Sequence, residues 1–326
     1  MKKHIKKHIK KAYKRFRASK YFAAFVAIAA IVFIIYILLP FPNDNKQTVV
    51  QNIKNLEIPY SPYDEQVVEH KAYTLGYNEE NEQPNWVAYS LTRENLSNPV
   101  TERDGDFKED PKVITKSATK ADYVKSNYDR GHLAPAADFK WDSTAMNESF
   151  YMSNMSPQKP DFNRGIWSSL EGVVRNNAYN NEILYITTGP VFYEDVTKKT
   201  IGQNKVRVPD AFYKALLVYK NKDKKAIGFL LPNEKGNKPL SSYTLSIDNL
   251  EKITGLDFFY KLDDEEEDKI ERTYNLGDWE FSEFRSPEIN SEKPFAKQST
   301  SDHSLIRTLT MLKEIKKYIR QKIGLN

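Results

Sequence analysis

The sequence contains no cysteine and only five histidines among its 326 residues. The absence of cysteine excludes disulfide bonds, thiolate zinc sites and cysteine nucleophiles together. His4 and His8 lie in a basic N-terminal segment, so His70, His132 and His303 remain for any histidine chemistry in the rest of the chain. Taken alone, each of these histidines is more often a structural residue than a catalyst. The residues around each one must therefore indicate whether it is catalytic.

Acidic residues are missing from the first twenty positions, which hold ten lysines and arginines. Removing these ten charges from the formal net charge of +5 leaves about −5 for the remaining residues. This excludes a globally basic nucleic-acid-binding surface, so a phosphate site must be a local cluster. Five lysines are candidates for it, with a solvated face as the alternative: Lys108, Lys112, Lys116, Lys120 and Lys125.

Charge is also absent from residues 21–39, which read YFAAFVAIAAIVFIIYILL. As a helix this run would span roughly 28 Å, close to the thickness of a bilayer core. All the preceding charges are basic, which places the N-terminus in the cytoplasm and the rest outside it. A cleaved signal peptide is the alternative, but its apolar part is usually shorter and ends in small residues that LLPFPNDN lacks. The sequence therefore predicts a single-pass membrane protein.

The sequence pattern divides the chain into five segments. Residues 1–20 and 21–39 are the predicted cytoplasmic tail and transmembrane helix, and 40–56 read as a tether. Residues 57–284 show the pattern of an α+β domain, and 285–326 that of a linker and an amphipathic helix. Helices are predicted over 163–176 and 246–254, with Gly255 ending the second, and the acidic run 263–268 is expected to be solvated. Strands are predicted over 73–77, 86–92, 182–187, 212–219 and 226–231.

The segment YDRGHLAPAADF, residues 128–139, surrounds His132 with groups suited to phosphate chemistry. Arg130 is a permanent cation whose donors match phosphate oxygens. Gly131 permits a tight backbone turn. A histidine is often neutral at physiological pH and can accept a proton from water. His132 is therefore the candidate general base.

A second segment, NMSPQKPDFNRGIWSSLE at residues 154–171, supplies oxygen ligands. Asn163, Trp167 and Glu171 are four residues apart, so in a helix they share one face. An amide oxygen and a carboxylate suit Mg²⁺, which keeps most of its waters, better than zinc. Taken singly, the asparagine is more often a helix cap and the glutamate a solvated residue.

Together the two segments resemble the DNA/RNA non-specific endonuclease family of ββα-metal nucleases. The DRGH motif stands at residues 129–132, and the downstream pattern N-x3-Q-x4-N-x3-W-x3-E begins at Asn154 and ends at Glu171. Similar stretches lie at 84–92, 107–113, 188–192, 208–217 and 254–259. The resemblance runs from about Tyr73 to Phe259. It implies the ββα-metal (His-Me finger) fold, which is α+β with a central antiparallel sheet.

The resemblance also implies a role for each site residue. His132 would be the general base, Asn163 the sole direct protein ligand of Mg²⁺ or Mn²⁺, and Glu171 the holder of a metal-bound water. Asn154 would help to position the histidine or the metal waters, and Arg130 would contact phosphate or order the site. Arg103 is the nearest candidate for the family's upstream arginine, which steadies the transition state. Trp167 and Gln158 would be structural.

The implied function is endonucleolytic hydrolysis of DNA and RNA. Low sequence specificity follows because such a site grips the backbone and not the base edges. Membership would also make a homodimer a natural expectation. Two alternatives stay open: an inactive, membrane-anchored binding module that keeps the fold, and a phosphodiesterase that acts on a smaller substrate.

Overall fold

The computed structural model describes residues 54–103, 105–194, 197–220 and 223–284. The predicted tail, membrane span, most of the tether and the C-terminal linker and helix lie outside these residues and stay predictions. Among the helices that are described, none combines the length and the apolar character that crossing a membrane requires.

A seven-stranded antiparallel sheet lies at the centre of the described residues. In chain order the strands are β1 (Gln66–Glu69), β2 (Thr74–Asn78), β3 (Gln83–Thr92), β4 (Asp129–His132), β5 (Met155–Gln158), β6 (Ile183–Val191), β7 (Thr200–Ile201), β8 (Val206–Arg207), β9 (Ala211–Lys220), β10 (Asp223–Pro232) and β11 (Thr244–Leu245). The sheet has the order β1-β2-β3-β6-β9-β10-β11, and β4–β5 and β7–β8 form separate two-stranded ribbons.

Helices cover both faces of the sheet. They are α1 (Arg93–Ser97), α2 (Ser143–Glu148), α3 (Ser168–Asn181), α4 (Ile247–Thr254) and α5 (Asp264–Glu271). One core contains Val87, Tyr89 and Leu91 of β3 with residues of α3, and a second contains Trp86 and Ala88 with residues of α4 and α5. This division follows from the alternation of side chains along a strand. We call the α3 side the front and the α4–α5 side the back.

The predicted strands all occur, with ends that differ by a few residues. The largest difference is in β6, which continues past 187 to Val191 because TGPV pairs with the start of β9. The helix predicted over 246–254 is confirmed as α4. Ser246 caps it by accepting a hydrogen bond from the amide of Asn249, and Gly255 ends it at φ +69°, a left-handed conformation that favours glycine.

The helix predicted over 163–176 is wrong in its first turn. Residues Phe162–Trp167 form a π-helical turn, and the regular helix α3 begins only at Ser168. The cause is Gly165, whose φ of −108° and ψ of −111° are not helical. Asn163, Trp167 and Glu171 therefore do not lie on one regular helical face, and Trp167 is fully buried in the front core.

The acidic run at 263–268 is not simply solvated. Asp263 caps α5 through a hydrogen bond from the amide of Glu265. Glu266 is half-buried and pairs with Lys224 and Tyr219 of the sheet, and Glu267 is also half-buried. The run therefore begins a helix that packs on the back of the sheet, which its charge alone does not reveal.

Candidate active site

The DRGH motif forms strand β4, which pairs with β5. Gly131 lies opposite Ser156, and a β-carbon added at Gly131 would lie 2.1 Å from the side chain of Gln158. The predicted reason for this glycine, a tight turn, is therefore wrong. The position requires glycine because the buried Gln158 approaches the strand too closely for any side chain.

His132, at the end of β4, is enclosed by aromatic rings. Its imidazole lies 5.1 Å from the ring of Phe150 and 5.6 Å from that of Phe107, measured between centroids, and the residue is 9% exposed. Burial lowers the pKa of His132 to about 3, and the positive charge of Arg103 contributes. The imidazole is therefore neutral at pH 7, the state in which it can accept a proton.

A cavity of about 500 Å³ opens at this histidine on the front of the molecule. Its lining includes five of the six predicted site residues, namely Arg103, Arg130, His132, Asn163 and Glu171. Residues separated by almost seventy positions in the chain thus meet at one place. This cavity combines a neutral base, fixed cations and oxygen ligands, which together suit phosphate chemistry.

Asn154 is the predicted site residue that does not line the cavity. Its side chain is fully buried, its oxygen accepts from the amide of Ala134 at 3.0 Å, and its nitrogen donates to the carbonyls of Ala134 and Ser149 at 2.9 and 2.8 Å. All its polar atoms are used by the backbone. Of the two predicted roles, support of the segment after His132 fits this geometry, whereas contact with metal waters does not.

Asn163 lies in the π-helical turn, where Asp129 fixes its amide. The nitrogen of Asn163 donates to Asp129 at 3.0 Å, which leaves the amide oxygen as the free ligand atom. Arg164 holds the same carboxylate with two hydrogen bonds of 2.8 and 2.7 Å. The first residue of the DRGH motif thus orients the amide, a function that the sequence analysis did not assign.

Glu171 faces the cavity from the first turn of α3 and is half-buried. Burial raises the pKa of its carboxyl group, while the positive charges of Lys214 and Arg175 oppose this rise. Arg175 forms an ion pair of 2.9 Å with the buried Asp138. Lys214 is fully buried and donates to the carbonyl of Leu133 at 3.2 Å. Glu171 therefore belongs to a network of buried charges beneath the cavity.

Sequence reasoning missed Asp138, Arg175 and Lys214, although two of them carried a readable signal. Asp138 lies inside the segment that drew attention to His132. Lys214 lies within the apolar strand β9, and the residues before and after it are buried. A charge at such a position requires a partner. Arg175 lies four residues beyond the predicted motif, on a helix with many polar residues, and had no comparable signal.

The cations that face the cavity differ from the predicted lysine cluster. Arg103, Arg130, Lys140 and Arg164 line it, and Nε of Arg130 is buried without a hydrogen-bond partner among the described residues. The guanidinium of Arg130 lies 4.5 Å from the ring of Phe107, which fixes its plane. None of the five predicted lysines lines the cavity: three have partners elsewhere, in the pairs Lys108–Asn147, Lys112–Glu69 and Lys120–Asp106.

The other described histidine has a structural environment. The side chain of His70 is buried, and its Nε2 lies 2.9 Å from the carboxylate of Asp110. His303 lies outside the described residues. His132 is thus the described histidine that reaches a cavity.

The residues around the cavity fit a hydrated Mg²⁺ ion. The free amide oxygen of Asn163 and the carboxylate of Glu171 are the hard oxygen donors that Mg²⁺ prefers, and the cavity leaves room for its waters. His132 is the one nitrogen donor of this set, and cysteine, the usual sulfur ligand of zinc, is absent from the whole chain. The donor set does not fit a structural zinc site.

Comparison with known proteins places this geometry in a family. The family model described as DNA/RNA non-specific endonuclease matches residues 53–265. Nuclease C1 of Cunninghamella echinulata var. echinulata is 39% identical over 212 residues, which cover 60% of this chain and 83% of that protein. Mitochondrial endonuclease G of Homo sapiens is 33% identical over 211 residues, which cover 59% of this chain and 69% of that protein.

A solved structure shares the fold as well. The crystal structure of an EndoG/EndoGI complex, which describes the mechanism of EndoG inhibition, aligns with a TM-score of 0.58 at 32% identity. The alignment covers 62% of this chain and 89% of that chain. The predicted α+β fold with a central antiparallel sheet is thus confirmed, and the chain belongs to the DNA/RNA non-specific endonuclease family, whose members hydrolyse phosphodiester bonds.

Proposed function

We propose that this protein is a membrane-anchored endonuclease that hydrolyses DNA and RNA with little sequence preference and depends on Mg²⁺. One observation carries the proposal. A neutral histidine, two arginines, an oriented amide and a half-buried carboxylate line a single cavity: Arg103, Arg130, His132, Asn163 and Glu171. This set provides a base, fixed positive charge and oxygen ligands, which phosphodiester hydrolysis requires.

Each side chain then has a defined task. His132 accepts the proton of the attacking water, a contribution of about 10²–10⁴-fold in rate. Arg130 and Arg103 stabilise the charge that develops on the phosphoryl oxygens, because a guanidinium donates along two parallel N–H bonds. Asn163 would hold Mg²⁺ and Glu171 one of its waters. When bound, Mg²⁺ supplies further charge stabilisation at the phosphoryl and leaving oxygens.

A second cavity favours polymeric substrates over small ones. It has a volume of about 360 Å³, and Lys159, Lys198, Lys199 and Arg207 line it together with Tyr128. It lies at the Asp129 end of the β4–β5 ribbon, because Tyr128 precedes β4 and Lys159 follows β5. Positive side chains beyond the reacting phosphate would bind the neighbouring phosphates of a nucleic acid. A phosphodiesterase for small substrates would have no use for them.

The proposal is tested with the full-length chain in mild detergent. Supercoiled plasmid, linear duplex DNA and single-stranded RNA are incubated with Mg²⁺ or with EDTA, beside the small diester bis-p-nitrophenyl phosphate. We expect metal-dependent degradation of all three polymers, with kcat/KM far above that for the small diester. Faster turnover of the small diester would establish the phosphodiesterase alternative. Binding of DNA without cleavage, across several metals, would establish the inactive binding module.

Membrane anchoring is a separate part of the proposal. It rests on the uncharged run 21–39 and on the ten basic residues before it. In bacterial spheroplasts that express the full chain, external protease should degrade the nuclease domain while cytoplasmic proteins survive. A nuclease domain that stays protected, or a chain that leaves the membrane fraction in high salt, would contradict the anchor.

The homodimer is proposed from family membership alone. Light scattering of the full-length chain, corrected for detergent, should give twice the protein mass of 37.9 kDa. A protein mass of one chain over the whole concentration range would contradict it.

A further inference from the structure

The back of the molecule holds a group of acidic residues that the candidate active site does not use. Helices α4 and α5 pack on the sheet face opposite α3, and Ile247, Leu250 and Ile270 bury their apolar sides in the back core. Asp248 and Glu251 on α4 and Glu271 at the end of α5 point their carboxylates toward one another. One oxygen from each lies within 4.8 Å of the other two. Within the described part of the chain, no other trio of potential metal-binding side chains is as close.

Glu271 is the residue that distinguishes this group from an ordinary acidic surface. It is only 5% exposed, and its Oε1 is shielded from solvent with no hydrogen-bond partner among the described residues. A buried, unpartnered carboxylate oxygen is strongly unfavourable, because the charge loses its water and gains nothing in return. A bound cation would remove that penalty.

The surroundings make the need for a cation stronger. Four other carboxylates repel a negative charge on Glu271, those of Glu251, Glu267, Asp257 and Asp248. Lys252 opposes the same effect at Glu251 only weakly. One oxygen of Glu251 accepts a hydrogen bond from the amide of Phe258 at 2.8 Å, which fixes this carboxylate in place.

We propose that Asp248, Glu251 and Glu271 bind a Ca²⁺ ion that ties α4 to α5. Ca²⁺ takes oxygen ligands at about 2.3–2.6 Å, so oxygens on opposite sides of it are about 4.6–5.2 Å apart. Mg²⁺ keeps most of its waters and is usually bound by only one or two carboxylates, whereas Ca²⁺ accepts more carboxylates in a flexible geometry. The three carboxylates, with one oxygen each inside a span of 4.8 Å, therefore suit Ca²⁺ and leave its remaining positions to water.

An ion at this site would affect the chain segment that runs from α5 to α3. The chain that leaves α5 crosses to the front, where Trp279 enters the front core. The amide of Glu280 donates to the side-chain oxygen of Asn177 at 3.1 Å, and the amide of Phe284 donates to the carbonyl of Gly172 at 2.9 Å. Gly172 follows Glu171 in α3. An ion that fixes α5 thus holds the start of a segment that braces the helix of the candidate active site.

The test measures thermal unfolding of the full-length chain in detergent after EDTA treatment, with excess Mg²⁺ present to occupy other sites. Addition of Ca²⁺ to about a hundredfold excess over Kd should raise Tm by roughly 5–10 °C. Calorimetric titration should count one Ca²⁺ per chain. Neither readout involves nuclease activity, so the result is independent of the proposed function.

Matched variants locate the ion. Glu271→Gln should keep or raise Tm in EDTA, because the neutral amide has the shape of the carboxyl group and is not repelled by its acidic neighbours, and it should abolish both the Ca²⁺ shift and the titration. Glu265→Gln, on the exposed side of the same helix, should keep both. If Glu271→Gln fails to fold, Asp248→Asn at a half-buried position takes its place. Absence of a Ca²⁺ shift in the wild type, or an equal shift in the Glu271 or Asp248 variant, would overturn the proposal.

Discussion

At the scale of single residues, the site depends on groups whose ionisation the fold has changed. Burial among aromatic rings keeps His132 neutral. The buried charges of Lys214 on β9 and Arg175 on α3 oppose the rise in the pKa of Glu171. These environments come from Phe107, Phe150 and Lys214, which are remote from the motif in sequence. The residue types were readable from the chain, but their pKa values were not.

The neutral state of His132 has a consequence for stability. Its pKa falls from an ordinary value of 6.5 to about 3 on folding, so between these values the unfolded chain binds a proton that the folded chain does not. The stabilising contribution is fully present above pH 6.5 and is lost as the pH falls toward 3. Between pH 7 and pH 5 the wild type should lose about 2 kcal/mol more unfolding free energy than His132→Asn.

Urea denaturation at both pH values, in EDTA, measures this difference. Comparison with the variant cancels the carboxylates that titrate in the same range. Equal losses in the two proteins would show that the imidazole is not held neutral by the fold.

Asp129 should control metal affinity through Asn163. Asp129→Ala removes the acceptor that holds the amide nitrogen, so the amide can present either end to the cavity. Loss of such a supporting contact typically weakens metal binding about 10–100-fold. The Mg²⁺ concentration at half-maximal cleavage should rise accordingly. Asp161→Ala removes the same charge from an exposed position nearby and should leave the half-maximal Mg²⁺ concentration unchanged. If both variants raise this concentration equally, the cause is the lost negative charge and not the orientation of Asn163.

At the scale of elements, two glycines determine the shape of the site. Gly165 interrupts the helix and produces the π-helical turn that carries Asn163. Gly131 allows β5 to approach β4. Periodicity predicted one continuous helix here, because a single internal glycine is compatible with a helix and the pattern contains no information on backbone angles.

Gly131→Ala should be destabilising although the position lies in a strand, where alanine is normally acceptable. The added methyl would meet the side chain of Gln158 at 2.1 Å, and that side chain is fully buried. Overpacking of this kind costs about 1–3 kcal/mol. Urea denaturation checks it, and the double variant Gly131→Ala with Gln158→Ala should recover part of the loss. No recovery would place the strain elsewhere.

At the scale of the whole molecule, the sequence predicted the main strands of the sheet and helix α4 on its back, but not helix α5 beside it. The α+β class, the main strands and helix α4 followed from hydrophobic patterns and turn residues. The meeting of Arg103, His132 and Glu171 followed from the resemblance and not from any pattern, because contacts across the sheet are set by tertiary packing. The role of α5 was missed since its sequence is dominated by charge, and its contacts through Glu266 and Ile270 appear only in three dimensions.

The basic cavity at the Asp129 end of the β4–β5 ribbon should affect the cleavage of long substrates only. Lys199→Gln removes a cation that faces it, and Nζ of Lys199 lies 5.0 Å from the ring of Tyr128. We expect a higher KM for plasmid, with the salt dependence of binding reduced by about one phosphate contact, and no change for the small diester. Lys120→Gln, whose lysine pairs with Asp106 away from the cavity, is the control. Equal effects of the two variants would exclude this cavity as a binding groove.

The most direct test of the account is the rate at which His132→Ala cleaves supercoiled plasmid in saturating Mg²⁺, compared with the wild type. Circular dichroism establishes that both proteins are folded. We expect kcat to fall by at least about 10²-fold, which is the contribution of a general base. A variant that retains its rate within a few-fold would contradict His132 as the base and would require another group to activate the water.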